Sequence, residues 1–424
     1  MTMRLRATVK KTGVLFVLVL LLVPSASTLL VGADDPEGSY FHVRTAILGD
    51  GRAITESVIS GPPDPPPGYL RPPASLPEPD VSAGVSVLSD VPAYNWSFGC
   101  SATSAAMMAG YYDRTGYADM YTGPTNGGVI PLDNSSWPNW QDSSGAWIHQ
   151  CPLSATHMGL DGRTIRGHVD DYWVEYGDPG PDPFIGNWPE HTHGDCAGDY
   201  MKTNQSSHGN ADGSTTIYTL SNGSALHWDD METYGIADED GGYGLKLFYE
   251  SRGYTVTEMF NQCVLGYAHP TRGFTYEEYK AEIDAGRPVM IHLEGHTMVG
   301  VGYDDSGDLM YVHDTWDYAV HTMNWGGTYV GMRHYAVTIA QLAPPTVPLA
   351  APSDLAAAAA GTGLIDLTWT DNSADETAFH VERSPNGTTA WAQVATVPAD
   401  ATSYSDAALA CGTAYHYRVR AYRS

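Results

Sequence analysis

A run of small and apolar residues after a glycine, Gly99-Cys-Ser-Ala-Thr-Ser-Ala-Ala-Met-Met-Ala-Gly-Tyr-Tyr112, does most to limit what this chain can become. Side chains of this kind predict a tightly packed helix that begins at Cys100. A helix starting there puts the thiol at the positive end of the helix dipole, which favours thiolate over thiol. The thiolate is the nucleophilic form, so this is how a reactive cysteine is built. The same residues also suit a buried structural cysteine or half of a disulfide.

The other cysteines bear on that choice. The chain of 424 residues has five, Cys100, Cys151, Cys196, Cys263 and Cys411. Its start reads as an export signal over residues 1–33. Arg4, Arg6, Lys10 and Lys11 precede an apolar stretch from Val14 to Val23, and Val31-Gly-Ala33 has the small-residue form of a cleavage site. The expected location is therefore secreted, with no membrane association after cleavage. An odd cysteine in an exported protein points to a free reactive thiol or an intermolecular bridge, and Cys151, Cys196 and Cys263 can supply one disulfide between them. The formal net charge of −28 becomes more negative once the basic signal is removed. Such a surface repels nucleic acid and anionic membranes.

Residues 34–89 read as a pro-segment or a Pro-rich linker. Tyr40–Ile47 is strand-like, and residues 61–80 hold so many prolines that an extended, polyproline-like path is expected. Residues 90–341 read as one α+β domain. Within it, residues 118–242 look irregular, dense in Gly, Pro, Asp, Asn and His. A helix is expected near Gly242–Arg252 and a strand over Tyr254–Met259. Thr275 with Glu278 fits a capping box for a helix over Tyr276–Ala285. Val289–Leu293, Thr297–Tyr303 and Leu309–His313 then predict an antiparallel meander, with a hairpin turn at Asp304–Asp308.

A cysteine nucleophile needs a base within reach, and the base needs an orienting group. His296 follows a glycine at a strand start, and the next strand ends at Asp314, so the meander can bring the two together. His292 and His313 are the alternatives. His191, His193, Cys196 and Asp199 are metal-ligand residue types at short spacing, read here as loop residues; no metal and no cofactor are expected.

Gly99–Met107, Gly295-His-Thr-Met-Val-Gly-Val-Gly-Tyr-Asp304 and Val312-His-Asp-Thr-Trp316 resemble the three blocks of papain-like cysteine peptidases, nearest to the bacteriocin-leader-processing branch. The resemblance implies a secreted peptidase acting on a peptide or protein substrate. Cys100 would attack the carbonyl, His296 would be its base and Asp314 the third member, with a thioester intermediate. The family's glutamine before the cysteine is replaced by Tyr94 and Asn95, which leaves the Asn95 amide as the candidate oxyanion-hole donor. A non-catalytic surface or adhesion protein that keeps the fold, and a cell-wall peptide amidase, are the alternatives.

Residues 342–352 form a linker. In residues 353–424, short alternating segments such as Ile365–Trp369, Phe379–Arg383, Trp391–Val397 and Tyr415–Ala421 suggest an all-β sandwich. Pro352-Ser-Asp-Leu355, Leu367-Thr-Trp369 and Gly412–Ala421 resemble a fibronectin type III domain, immunoglobulin-like and truncated at its last strand. Tyr415 suits the tyrosine corner of that domain. The resemblance implies a spacer or a contact with a cell surface or polysaccharide.

Overall fold

The computed structural model describes residues 40–78, 84–117, 120–121, 129–137, 139–141, 145, 147–155, 196–344, 350–373, 376–389 and 391–422. The signal-like residues 1–33 and the pair His191 and His193 lie outside them. The chain divides into two compact units, Met1–Ala343 and Pro344–Ser424. Among the described residues no helix is long and apolar enough to cross a membrane.

The first unit opens with a hairpin, β1 (Phe41–Ile47) and β2 (Ala53–Ile59). There follow β3 (Val85–Val87), α1 (Cys100–Arg114), β4 (Thr215–Leu220), α2 (Gly241–Ser251), β5 (Val256–Cys263) and α3 (Tyr276–Asp284). The unit closes with β6 (Val289–Leu293), β7 (His296–Asp304), β8 (Leu309–His313), β9 (His321–Asn324) and β10 (Met332–Leu342), with shorter elements between. Strands β1, β2 and β4 make one small antiparallel sheet. The large sheet runs β9-β8-β7-β6-β10-β5, with β3 also pairing β7. The β6–β7–β8 meander forms where the alternating pattern predicts it. β10 enters between β6 and β5, a strand that alternation does not reveal because almost every residue in it is buried.

Local chemistry explains the helices. The Thr275 hydroxyl accepts from Glu278 N–H and the Glu278 carboxylate accepts from Thr275 N–H, the capping box that starts α3. Asp240 starts α2 by accepting from Tyr243 N–H, and also takes bonds from Tyr218 N–H and Asn261 Nδ2. α1 is buried from Cys100 to Tyr112, which is why its residues are small. It docks on β7, where Ser101 Oγ lies 2.9 Å from Thr297 Oγ1 and Ser104 Oγ donates to the Thr297 carbonyl. Residues 196–242 are not an irregular loop. They hold β4 and two short helices, Ala197–Tyr200 and Trp228–Tyr234.

No disulfide joins Cys151, Cys196 and Cys263. All five cysteines are thiols, and those three are buried. The Cys196 sulfur accepts from Asp199 N–H at the start of a short helix, which gives both residues a local structural part.

The second unit has two three-stranded antiparallel sheets. One is β11 (Ser353–Gly361), β12 (Leu364–Thr370) and β15 (Ser403–Asp406), in the order β11-β12-β15. The other is β13 (Ala378–Ser384), β14 (Ala392–Pro398) and β16 (His416–Tyr422), in the order β14-β13-β16. Leu367 and Trp369 of one sheet share a core with Phe379 and Val381 of the other. Asp406 links the sheets by accepting from Arg383 Nη1 and from the Tyr417 hydroxyl. The Tyr415 hydroxyl accepts from Ala410 N–H at 3.1 Å.

Candidate active site

Cys100 is the first residue of α1, and its entry is set by Gly99 at φ 142°. A side chain there would strike Thr203 and the Gly213 carbonyl, so both the backbone angle and the space demand glycine. His296 begins β7 directly after the Gly295 turn and pairs with Leu293 of β6. Val299 of β7 pairs with His313 of β8, so Asp314 leaves β8 beside the start of β7. The sheet register thus brings His296 and Asp314 together, and the docking of α1 on Thr297 brings Cys100 to the same place.

His296 Nε2 lies 2.7 Å from the Asp314 main-chain carbonyl and 3.2 Å from Thr315 Oγ1. The carbonyl can only accept, so Nε2 carries the proton and Nδ1 is the bare, basic nitrogen. Among the described residues Nδ1 has no hydrogen-bond partner. Trp316 stacks on the imidazole, with ring centroids 3.8 Å apart and planes 14° from parallel. The expected contact between His296 and the Asp314 carboxylate is absent. That carboxylate is instead bound by Arg71 Nη1, by the Tyr329 hydroxyl at 2.7 Å and by Trp316 N–H at 3.1 Å.

Asn95 lies beside Asn134 and His149. Its N–H and carbonyl form a reciprocal pair with the Asn134 side chain, and its amide nitrogen lies 3.4 Å from His149 Nε2. His292 belongs to the core, held between Thr297 Oγ1 and Thr338 Oγ1. His313 is buried, with Nδ1 3.5 Å from the Ala319 carbonyl.

Residues 61–74, expected as part of an extended linker or pro-segment, cross this site as a strap. Gly61 lies against both reactive groups, and a Cβ on it would collide with Cys100 Sγ and His296 Nδ1. The Gly61 and Thr297 N–H groups point at the sulfur. The Gly61 carbonyl accepts from Trp96 Nε1 at 3.0 Å, and the Pro62 carbonyl from Trp316 Nε1 at 2.9 Å. Farther along, Arg71 reaches Asp314 and Asp317 and lies over the Trp316 ring, and Ala74 N–H donates to the Val320 carbonyl. Pattern reasoning missed Gly61, Arg71 and Trp96. Only the density of proline marked this segment, and proline predicts an extended path without a destination.

Burial under the strap reverses the expected electrostatics. Cys100 and His296 are both fully buried. Desolvation pushes the Cys100 thiol above its ordinary value, against the donors aimed at the sulfur. It lowers His296 to about 4, against the raising influence of Asp314. The covered pair is therefore neutral thiol and neutral imidazole, not the thiolate that the helix terminus alone would favour.

Burial also lowers His313 to about 4, and His292 and His334 to about 3. An unfolded histidine titrates at about 6.5. Between that value and about 4 the unfolded chain holds protons that the native chain does not, so stability falls as pH drops. Once pH is below both values, a histidine lowered to about 4 costs about 3 kcal/mol of stability and one lowered to about 3 costs about 5 kcal/mol. Urea unfolding is expected to give a free energy several kcal/mol smaller at pH 5 than at pH 7. A flat profile over that range would show that these histidines titrate normally in the native protein.

Residues 88–337, more than half of the chain, match the model of the Peptidase_C39 like family. No curated protein sequence matches the chain. Among solved structures, it is similar to a beta-1,2-glucanase from Parabacteroides distasonis at 18% identity and a TM-score of 0.16, over 31% of this chain and 22% of that one. It is also similar to domains from titin at 18% identity and a TM-score of 0.18, over 32% of this chain and 49% of that one. The chain thus spans less than half the length of either structure.

Proposed function

Because the chain belongs to the Peptidase_C39 like family, we propose that it is a secreted cysteine peptidase that works through Cys100 and His296 and rests in a covered state beneath residues 61–74. The observation that carries this reading is the convergence of Cys100 Sγ and the bare Nδ1 of His296 on one point, the place a Cβ of Gly61 would occupy. With the strap displaced, Nδ1 takes the thiol proton and the thiolate attacks a peptide carbonyl carbon. A C–S bond forms as the carbonyl electron pair moves to oxygen. Collapse of that intermediate expels the amine, which takes its proton from the imidazolium. Water then hydrolyses the thioester to a carboxylic acid and restores the thiol.

Asp314 orients the imidazole through its main-chain carbonyl in the covered state. Its carboxylate is the group that Arg71 holds, so displacing the strap releases that carboxylate from Arg71 while its bonds from Tyr329 and Trp316 remain. The second unit is proposed to be a fibronectin type III domain that spaces the peptidase from a cell surface or polysaccharide. Its two sheets and the Tyr415 bond support that reading.

The test is alkylation with an iodoacetamide probe across pH 4–9, with the modified cysteine located by mass spectrometry. It is run on chains carrying Arg71→Ala to open the strap, with and without His296→Ala. Fast labelling of Cys100 well below pH 8, slowed about 10²-fold by the loss of His296, is the expected result. An ordinary thiol profile in a chain whose strap is demonstrably open to protease would favour a non-catalytic protein that keeps the fold.

A further inference from the structure

In the peptidase reading the developing oxyanion needs a donor, and the Asn95 side-chain amide nitrogen lies 3.4 Å from His149 Nε2 while its main chain pairs with the Asn134 side chain. The strap identifies another group. Gly61 is the residue pressed against Cys100 Sγ and His296 Nδ1, and its own carbonyl oxygen lies 3.0 Å from Trp96 Nε1. A carbonyl brought to the thiol is thus met by the indole N–H of a buried tryptophan. We propose that Trp96 is a catalytic residue of this chain, donating from Nε1 to the oxyanion in place of the family's glutamine; this rests on the peptidase reading above.

The indole nitrogen is a donor only, so it has no competing role as an acceptor at this site. It is neutral, fixed in place and shielded from water, the conditions under which one donor contributes most to a developing negative oxygen. The ring is held by its neighbours. Phe98 packs against it with centroids 6.1 Å apart, and a Cβ at Gly213 would come within 2.8 Å of Trp96 Cζ2. Trp316 carries the other indole donor at the strap, but it meets the Pro62 carbonyl, one residue farther from the residue that touches sulfur. Trp316 is therefore suited to hold substrate main chain, and Trp96 to meet the reacting carbonyl.

The experiment separates an oxyanion donor from a general effect on the thiol. All chains carry Arg71→Ala, and aldehyde protection is read relative to each variant's own alkylation rate, so that a change in access from loss of the Trp96 bond to Gly61 cancels. Alkylation of Cys100 by iodoacetamide passes through no oxyanion. Protection of Cys100 by the peptide aldehyde Ile-Ser-glycinal, which copies residues 59–61, forms a hemithioacetal whose oxygen needs the donor. Trp96→Phe is expected to keep or raise the alkylation rate and to weaken aldehyde protection, relative to that rate, about 10²-fold. Trp96→Gln, which restores an N–H, is expected to recover most of the protection, and Asn95→Ala to lose none of it. Undiminished protection in Trp96→Phe overturns the proposal, as does a loss seen in Asn95→Ala alone. Alkylation with an ordinary thiol profile in the Trp96 parent overturns the peptidase reading, and the proposal with it.

Discussion

Replacing Arg71 with alanine is expected to raise the alkylation rate of Cys100 by about 10²–10³-fold and to open residues 61–74 to protease. Arg71 is the strap's one charged anchor on the site, and it bonds a carboxylate that is fully buried. Its own side chain is only 13% exposed, so solvent screens the pair little. Removing one partner of such a pair leaves the other charge buried and uncompensated, which costs about 3–5 kcal/mol. Each 1.4 kcal/mol is a factor of ten, so the open fraction rises by two to three decades. Hydrogen bonds from Trp96 and Trp316 to the strap remain in this variant, as does the bridge between Ala74 and Val320. They keep the opening partial. Arg71→Lys retains the charge and should fall between parent and alanine. Equal alkylation rates in Arg71→Ala and the parent would mean that the strap does not control access to the thiol.

Cys100→Ala is expected to remove peptide hydrolysis entirely, a loss on the order of 10⁶-fold if the thiolate acts as the nucleophile. The fold should survive. Cys100 is buried in a small cluster with Ile59, Trp96 and Phe98, and alanine removes one sulfur from an otherwise intact helix start. Gly99 still sets the backbone, and Ser101 and Ser104 still join α1 to Thr297. Circular dichroism and the thermal midpoint separate loss of chemistry from loss of structure. Hydrolysis retained by the folded alanine variant would exclude Cys100 as nucleophile.

The parts of this protein that were legible in the sequence are those set over a few neighbouring residues. The start of α1 could be read from a glycine and a run of small side chains, and α3 from Thr275 and Glu278. The β6–β7–β8 meander could be read because β-branched and apolar residues stand between turn signals. The change of character after residue 352 separated the two units. His296 and Asp314 were paired by the same logic, since a meander returns its strand ends to one edge. That logic reaches the backbone but not the side-chain direction. It put the Asp314 carboxylate on the imidazole, whereas the main-chain carbonyl takes that place and the carboxylate turns to Arg71 and Tyr329.

The rest was decided by contacts between distant parts of the chain. β10 is buried along almost its whole length, so its sequence has no polar face to betray it as a strand. Gly61 meets Cys100 and His296 across long stretches of sequence, and nothing local in Gly61-Pro62-Pro63 says where an extended segment will lie. Trp96 in sequence is one more aromatic residue near the cysteine, and only folding aims its N–H at the carbonyl beside the thiol. The protonation of the pair followed the same division. The helix terminus at Cys100, a local feature, favours the thiolate; burial under the strap, a tertiary one, favours the neutral thiol. Burial prevails because removing a charge from water outweighs the few partial charges aimed at it. The sequence by itself thus named the candidate reacting residues, while the tertiary structure decided what covers them and which N–H stands beside the Gly61 carbonyl.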